Sequence, residues 1–311
     1  MKATNFSFID SSSMSIFTRK WEPEASPIRG IVLIIHGISE HSGRYESFAE
    51  ALTDGGYIVY VHDQRGHGRT SENQEAQGYA GEDGWNLLVR DVYELIEVIK
   101  KENPTLPLFI LGHSMGSFIL RQYMHQYRDL QGVKGFILSG TGGSSTIMLS
   151  LARFLCTLII KKNGGLYKSK FIQGLTFKDY NVKCTEKRTK YDWLSRDTEV
   201  VDKYIVDNLC GQICTVSFYN DFFRGIMEVQ KQANITRIPK TIPILIFSGQ
   251  MDPVGQYGKM ISSLIQRYKA VGIQDITYKL YESSRHEMLN EINRNEVIQD
   301  IIRWINSKLP A

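Results

Sequence analysis

Leu108-Phe-Ile-Leu-Gly-His-Ser-Met-Gly116 is the stretch that decides how this chain is read. Leu108 to Leu111 form an apolar run of strand length. The run passes directly into Gly112-His113-Ser114-Met115-Gly116, a Gly-x-Ser-x-Gly pattern. A strand that turns at once into a helix leaves no room for side chains at 112 and 116. It also forces Ser114 into a strained backbone angle. Ser117 to Tyr127 contain neither Pro nor Gly, so the pattern predicts a helix whose N-terminus points at the serine. Its N–H groups and positive dipole end would then face any negative charge formed there. The plainer reading of the same residues is an ordinary β–α turn, and the rest of the chain must choose between the two.

The strand ending at Ile35 is equally informative. Gly30-Ile-Val-Leu-Ile-Ile35 is a continuous β-branched run, the pattern of a central parallel strand covered on both faces. It ends in His36-Gly37-Ile38-Ser39-Glu40-His41-Ser42-Gly43-Arg44-Tyr45. Before it, residues 5–20 alternate loosely around Ser11–Ser13, as an antiparallel hairpin at a sheet edge would. After it, Tyr45–Leu52 reads as a helix and Tyr57–His62 as a buried strand, which delivers Asp63-Gln64-Arg65-Gly66-His67-Gly68. Trp85–Lys101 carries a helical stripe of Leu88, Val92, Leu95, Ile96 and Ile99. Gly135–Ser139 is a further strand. The alternation then stops for about a hundred residues. It resumes with strands at Ile242–Phe247 and Ile276–Tyr281, a helix between them at Gly258–Ala270, and a closing helix at Val297–Leu309. Alternating β and α elements imply a doubly wound, mostly parallel sheet with helices on both faces. The interruption implies an inserted cap. The expected division is a core of residues 1–140 and 241–311 and a cap of residues 141–240.

The composition sets bounds. The chain has 311 residues, 42% hydrophobic and 23% charged, which suits a globular core of this size. A net charge of +4 is too mild to argue for a nucleic-acid partner. Cys156, Cys184, Cys210 and Cys214 show no Cys-x-x-Cys spacing and suggest reduced thiols, with no metal site and no His near the Cys210/Cys214 pair in sequence. Residues 1–21 lack the basic start and apolar core of a leader. No apolar run reaches about 18 residues, the length a spanning helix needs. A cytoplasmic protein is expected.

A serine hydroxyl needs a base within reach, and the base needs a partner that orients it. Two later loops supply candidates, each leaving a strand's carboxyl end. One is Ser248-Gly-Gln-Met-Asp252-Pro-Val254; the other is Glu282-Ser-Ser-Arg-His286-Glu287. Three such residues in the order Ser, acid, His fit a nucleophile, an orienting carboxylate and a general base. The assignment is Ser114, Asp252 and His286. Glu282 and Glu287 compete for the acid role, and Asp252 is preferred because it follows a strand of its own. An oxyanion site needs two preorganised N–H donors. Met115 follows the nucleophile, and Ile38 follows His36-Gly37 after the central strand. His36, Gly37, Arg65, His67 and His113 crowd the same edge, either touching substrate or holding loops. No carboxylate pair accompanies them at metal spacing.

Taken together, these motifs resemble the monoacylglycerol lipase and lysophospholipase group of α/β-hydrolases, of the serine aminopeptidase S33 type. The residues that carry the likeness are His36-Gly37 with Glu40–Tyr45, Asp63 with Arg65–Gly68, Gly112–Gly116, Asp252-Pro253-Val254, and Arg285-His286-Glu287 with Leu289-Asn290-Glu291. The likeness covers residues 5–140 and 240–311. It implies an α/β-hydrolase fold with the serine, aspartate and histidine as a triad and the N–H groups of Ile38 and Met115 as the oxyanion hole. It also implies hydrolysis of a carboxylic ester of one long acyl chain without metal or organic cofactor. Ile38-Ser39 departs from the small residues usual in that group, and a β-branched side chain there would narrow the acyl site.

The cap sequence matches nothing specific. Ile147–Ile160 is strongly apolar but too short to span a bilayer. It reads either as a helix buried on the core or as a lid whose apolar face meets acyl chains or a membrane surface. Residues 161–190 follow with nine Lys and Arg against two carboxylates, a net +7. That is either a solvated face or a patch drawn to anionic lipid. A small lipid or ester substrate and transient membrane contact through the cap are therefore expected. The oligomeric state is left open. Two other functions compete: a short-chain or aryl esterase, amidase or peptidase with the same triad, and a non-catalytic binding module on the same fold.

Overall fold

The computed structural model describes residues 1–24, 27–71, 73 and 75–309. Eight strands form one sheet: β1 (Lys2–Ile9), β2 (Ser15–Glu22), β3 (Gly30–Ile35), β4 (Tyr57–His62), β5 (Leu108–His113), β6 (Val133–Ser139), β7 (Ile244–Gly249) and β8 (Ile276–Tyr281). Their spatial order is β1-β2-β4-β3-β5-β6-β7-β8. β1 and β2 are an antiparallel hairpin, and β2 pairs antiparallel with β4 (Thr18 opposite His62). Every pair from β4 across to β8 is parallel. This is the doubly wound, mostly parallel sheet that the alternation of elements predicted, in the α/β-hydrolase arrangement that the resemblance implied.

Period-two packing explains the apolar runs. Ile31, Leu33 and Ile35 face one core, against α2 (Gly84–Glu102) and α3 (Met115–Gln126). Val32 and Ile34 face the other, against α1 (Glu46–Asp54) and α10 (Arg294–Ser307). A strand buried on both faces can carry no polar alternation, hence five consecutive Ile, Val and Leu. β3 sits between β4 and β5, so the chain leaves it in one direction and returns on the other side. That is the switch point of the sheet, where loops diverge and open a crevice at the carboxyl edge.

Between β6 and β7 lie five helices: α4 (Thr146–Asn163), α5 (Lys170–Phe177), α6 (Thr198–Val206), α7 (Val216–Val229) and α8 (Gln232–Thr236). The apolar run at 147–160 is α4, but only Leu149 and Cys156 on it are buried. α7 reads differently: Gly225 lies so close to Trp85 of α2 that a Cβ there would overlap the indole. Trp85 and Phe222 are neighbours, with ring centroids 5.9 Å apart. The latter part of the inserted segment is thus packed on the sheet's own helices. α9 (Lys259–Ala270) fills the remaining β–α–β crossover.

At the tip of β5, Ser114 has φ 51° and ψ −119°. A Cβ on Gly112 would overlap the carbonyl oxygen of Gly116, and one on Gly116 would overlap that of Ile35 in β3. The second collision is with the neighbouring strand, so it also sets how near α3 sits to β3. Gly116→Ala is expected to destabilise the protein by about 3 kcal/mol, as overpacking against a backbone that cannot yield does. Urea denaturation checks this; an unchanged midpoint would show that the β3–α3 approach is loose.

Candidate active site

Four carboxyl-edge loops build the site. Ser114 is held by its own backbone: its N–H donates to the Ser139 carbonyl at 2.9 Å. The loop after β3 passes beside it, since a Cβ on Gly37 would stand 3.2 Å from Ser114 Cβ. Met115 is the first residue of α3 and fully buried, so its N–H is one that the helix leaves without an intrahelical acceptor. Ile38 and Ser114 line the same cavities.

His286 stands in the loop after β8 and is buried. Its Nδ1–H donates to Asp252 Oδ2 at 2.9 Å. Asp252 is itself oriented: Oδ2 accepts from Ser248 Oγ at 2.9 Å and Oδ1 from the Val254 N–H at 2.9 Å. Of the three carboxylates weighed in the sequence, Asp252 is the one bonded to the imidazole. His286 and Ser114 line one cavity together with His113 and Gly37. Burial disfavours charge on His286, but Asp252, with Glu287 and Glu40 behind it, outweighs burial and raises its pKa above 6.5. For His113, burial and the neighbouring His286 act together and push the pKa down to about 4. Its Nδ1 lies 3.2 Å from Ser139 Oγ, and the two rings stand 4.8 Å apart.

The other sequence candidates do not reach the cavity. His36 is buried beside it. Its Nδ1–H donates to the Gly37 carbonyl at 2.7 Å and its Nε2 accepts the Gln64 N–H at 2.9 Å, so the ring pins two loops together. His67 Nδ1–H donates to the Arg65 carbonyl at 2.9 Å. Arg65 turns away to Asp91, with Nε–Oδ2 2.7 Å, and to Asp10 of the hairpin. Burial outweighs Arg65 at Asp91 and lifts that carboxyl to about 7. These three side chains hold loops in place.

Several contacts that shape the site were not foreseen from the sequence. Arg44 Nη1 donates to Glu40 Oε2 at 2.8 Å, and its two Nη atoms grip Glu287 at 2.6 Å each. Glu40 Oε1 in turn takes the Gly37 N–H at 2.5 Å. Burial works against charge on Glu40, but Arg44, with His113 and His36, outweighs it and holds the pKa at about 2. This buried trio joins the loop after β3 to the loop after β8. Glu40, Arg44 and Glu287 stood in quoted motifs, but nothing in them shows a contact across 243 positions. Segment 191–197 of the insertion forms the second brace. The Trp193 and Leu194 carbonyls accept from the His286 and Glu287 N–H groups at 3.3 and 2.7 Å, and the Trp193 ring lies 4.9 Å from that of His286. Arg196 pairs with Glu291 at 2.9 Å and Arg294 with Asp197 at 2.8 Å. On the other side, Tyr204 Oη and the Gly211 N–H both donate to the Ser39 carbonyl at 2.9 Å.

One His/Asp/Cys group was not expected. His41, Asp207 and Cys210 bring their ligand atoms within 4.8 Å of one another, so the histidine absent from the sequence neighbourhood of Cys210 arrives from the loop after β3. Its valences are used internally: His41 Nε2 bonds Asp207 at 2.9 Å and Nδ1 accepts the Gly43 N–H at 3.1 Å. Burial raises the Cys210 thiol pKa, which keeps it protonated. This arrangement braces the loop and is poorly disposed to take a metal. All four cysteines are free.

Comparison with known proteins agrees with this geometry. The family model described as serine aminopeptidase, S33 matches residues 26–293. A monoglyceride lipase homolog of monkeypox virus is 39% identical over 94% of this chain and 95% of its own length. A monoacylglycerol lipase of Mycolicibacterium smegmatis is 28% identical over 97% of both. Among solved structures, a thermostable carboxyl esterase of Bacillus coagulans in complex with glycerol superposes with a TM-score of 0.90 at 27% identity, covering 99% of each chain.

His286 should titrate above 6.5 in the wild type, and its midpoint should fall in Asp252→Asn, where burial loses its main opponent. Because the folded value is raised, this pair's contribution to stability is complete below about pH 6.5 and fades as pH rises through the folded value. NMR titration of the ring Cε1 proton reads both; an unmoved midpoint would mean that Asp252 does not set the charge of His286.

Proposed function

The chain belongs to the serine aminopeptidase S33 family of α/β-hydrolases and is an esterase- and lipase-type serine hydrolase similar to monoglyceride lipases; from that premise we propose that it cleaves the ester of a lipid with one acyl chain, a monoacylglycerol or lysophospholipid, through an acyl-enzyme on Ser114. His286 takes the Ser114 proton as the hydroxyl attacks the ester carbonyl. Asp252 holds the imidazole in the tautomer that leaves Nε2 free to accept it. The N–H groups of Ile38 and Met115 receive the oxyanion. Glu40 supports this arrangement by claiming the Gly37 N–H, which leaves the next N–H in the loop to face the site. His286 then gives its proton to the leaving alcohol, and an activated water releases the acid.

The observation that carries this reading is a pair of unlike cavities that share Ser114, Ile38, Phe177 and Trp193. They are similar in size, about 250 and 230 Å³, so their linings distinguish them. One runs under α4 and is bounded by Phe118, Leu149, Leu155, Phe222, Phe223 and Ile226. It suits an acyl chain. The other opens past His286 and is lined by Glu40, Gln173, Asn181, Tyr191 and Glu287. It suits a polar leaving alcohol. Ile38 borders both, so its β-branched side chain acts as the divider between them. An apolar chamber beside Ser114 also argues against a peptidase or short-chain esterase, which would have little use for it.

We further infer that the inserted segment is a cap that meets lipid surfaces. Met148 and Leu151 line the apolar cavity and are also exposed, at 58% and 52%, in a stripe with Ile147, Phe154 and Leu158. No helix among the described residues is long and apolar enough to cross a membrane. The stripe suits shallow contact. Leu151→Asp with Phe154→Asp should reduce co-sedimentation with neutral phospholipid vesicles severalfold; equal binding would remove this role.

Ser114→Ala should abolish covalent labelling by a fluorophosphonate and hydrolysis of monoacylglycerol. Activity on p-nitrophenyl esters should rise with acyl length as the chamber fills, by up to roughly fourfold per added methylene, each CH₂ contributing at most about 0.8 kcal/mol. Persistent labelling, or preference for acetate, would overturn the assignment.

A further inference from the structure

The more polar of the two cavities also carries charge, and its free charge is positive. Lys170, Lys178 and Lys190 line it and are solvent-exposed. The carboxylates that line it, Glu40 and Glu287, are both held by Arg44. Among the described residues no ion pair joins Lys170, Lys178 or Lys190 to a carboxylate, although Arg188 close by pairs with Asp202 at 2.9 Å. The nearby Asp192 is engaged by the Thr189 N–H and hydroxyl, at 2.6 and 2.8 Å. Lys190 Nζ lies 4.8 Å from the ring of Tyr191, itself a wall of the cavity. The apolar cavity, by contrast, has no charged side chain in its lining. The basic residues from 161 to 190 are thus divided: Lys161 and Lys162 end α4 away from both cavities, while these three ring the mouth of one.

A glycerol head group is neutral and gains nothing from three cations. A phosphate carries up to two negative charges and several acceptor oxygens. We propose that this cavity seats an anionic head group, so that the preferred substrate is an acylglycerol bearing a phosphate. The inference rests on the esterase reading above. The reaction is unchanged in kind: the ester C–O bond breaks, the hydroxyl of water ends on the acyl carbon and its proton on the leaving oxygen. The products are a fatty acid and a glycerol phosphate. Each exposed cation contributes modestly, but three acting on one doubly charged group reach about tenfold in kcat/KM.

The test uses two short-chain substrates below their aggregation concentrations, 1-octanoylglycerol and 1-octanoylglycerol 3-phosphate, so that no membrane surface enters. The ratio of kcat/KM for the phosphorylated over the neutral ester should exceed one and decline with added salt. It should fall about tenfold in Lys170→Glu/Lys178→Glu/Lys190→Glu, mainly through KM. Lys→Arg at the same positions should keep it, as should the control Lys161→Glu/Lys162→Glu. Turnover of both esters with the same ratio in wild type and the triple Glu variant would overturn the head-group assignment alone. A charge effect seen only with vesicular substrate would also overturn it, placing the lysines at the membrane. Turnover of neither ester would overturn the esterase reading and this one with it.

Discussion

The site depends on how closely α3 presses against β3. Gly116 sits against the Ile35 carbonyl with no space for a methyl group, and Gly112 against the backbone of Gly116. With that spacing, the turn at Ser114 and the loop starting at His36 emerge side by side at the switch point of the sheet. The positive φ of Ser114 is the strain that this arrangement stores. Everything else at the carboxyl edge is aimed at this one place. β7 and β8 deliver Asp252 and His286 from the far side, and the Ser139 carbonyl anchors the serine's own N–H.

Electrostatics then lock the loops that the backbone brings together. A buried Arg44 facing two buried carboxylates gains little net stability, because desolvation takes back most of what attraction supplies. What it does set is geometry. Glu40 cannot reach Arg44 and the Gly37 N–H at once unless the loop after β3 has one shape, and Glu287 cannot chelate Arg44 unless the histidine loop is drawn toward it. The same carboxylates act on His286 at longer range, in the direction Asp252 does. His113, buried with no carboxylate bonded to it, is driven the opposite way. Two histidines 4.8 Å apart are therefore held at different protonation thresholds, and the one bonded to Asp252 is the readily charged member.

The fold was legible because its signals are local. A strand covered on both faces must be continuously apolar, as at Ile31–Ile35, and a parallel neighbour requires a helix between. The alternation at Gly30–Ser139 and again from β7 onward therefore shows in composition alone. The edge on which Ser114, Asp252 and His286 lie was legible for the same reason, since each follows the end of a strand. Partner choice was not. Glu287 is adjacent to His286 in the chain yet points to Arg44, while Asp252 arrives from another strand. Side-chain direction in a loop is set by contacts 34 to 243 positions distant. For Arg65 the sequence left two roles open, touching substrate or holding loops, and the structure turns it to Asp10 and Asp91. The insertion was least legible. Its helices share one apolar surface with the core, so α7 has no sequence mark to separate it from a core helix, and α4 looks buried by composition while Ile147, Met148, Leu151, Phe154 and Leu158 face out.

That last mismatch fits the role proposed for the inserted segment. On that proposal, the apolar chamber beside Ser114 needs walls that water cannot enter and an opening that an acyl chain can. Fixed walls come from the residues packed on the sheet: Phe222, Phe223 and Ile226 of α7 lie against α2 and α3. The opening falls to α4, whose Leu149 faces inward while Met148 and Leu151 reach both the chamber and the solvent. Between these two helices, segment 191–197 is bonded through backbone and ion pairs to the histidine loop, so it can move little without disturbing His286. α4 packs along α7, with Arg153 Nε donating to Asn220 Oδ1 at 3.3 Å, and together with α5 it carries the exposed apolar stripe and Lys170. Segment 191–197 thereby keeps the imidazole in register with Asp252, while α4 presents apolar side chains to both the cavity and the solvent.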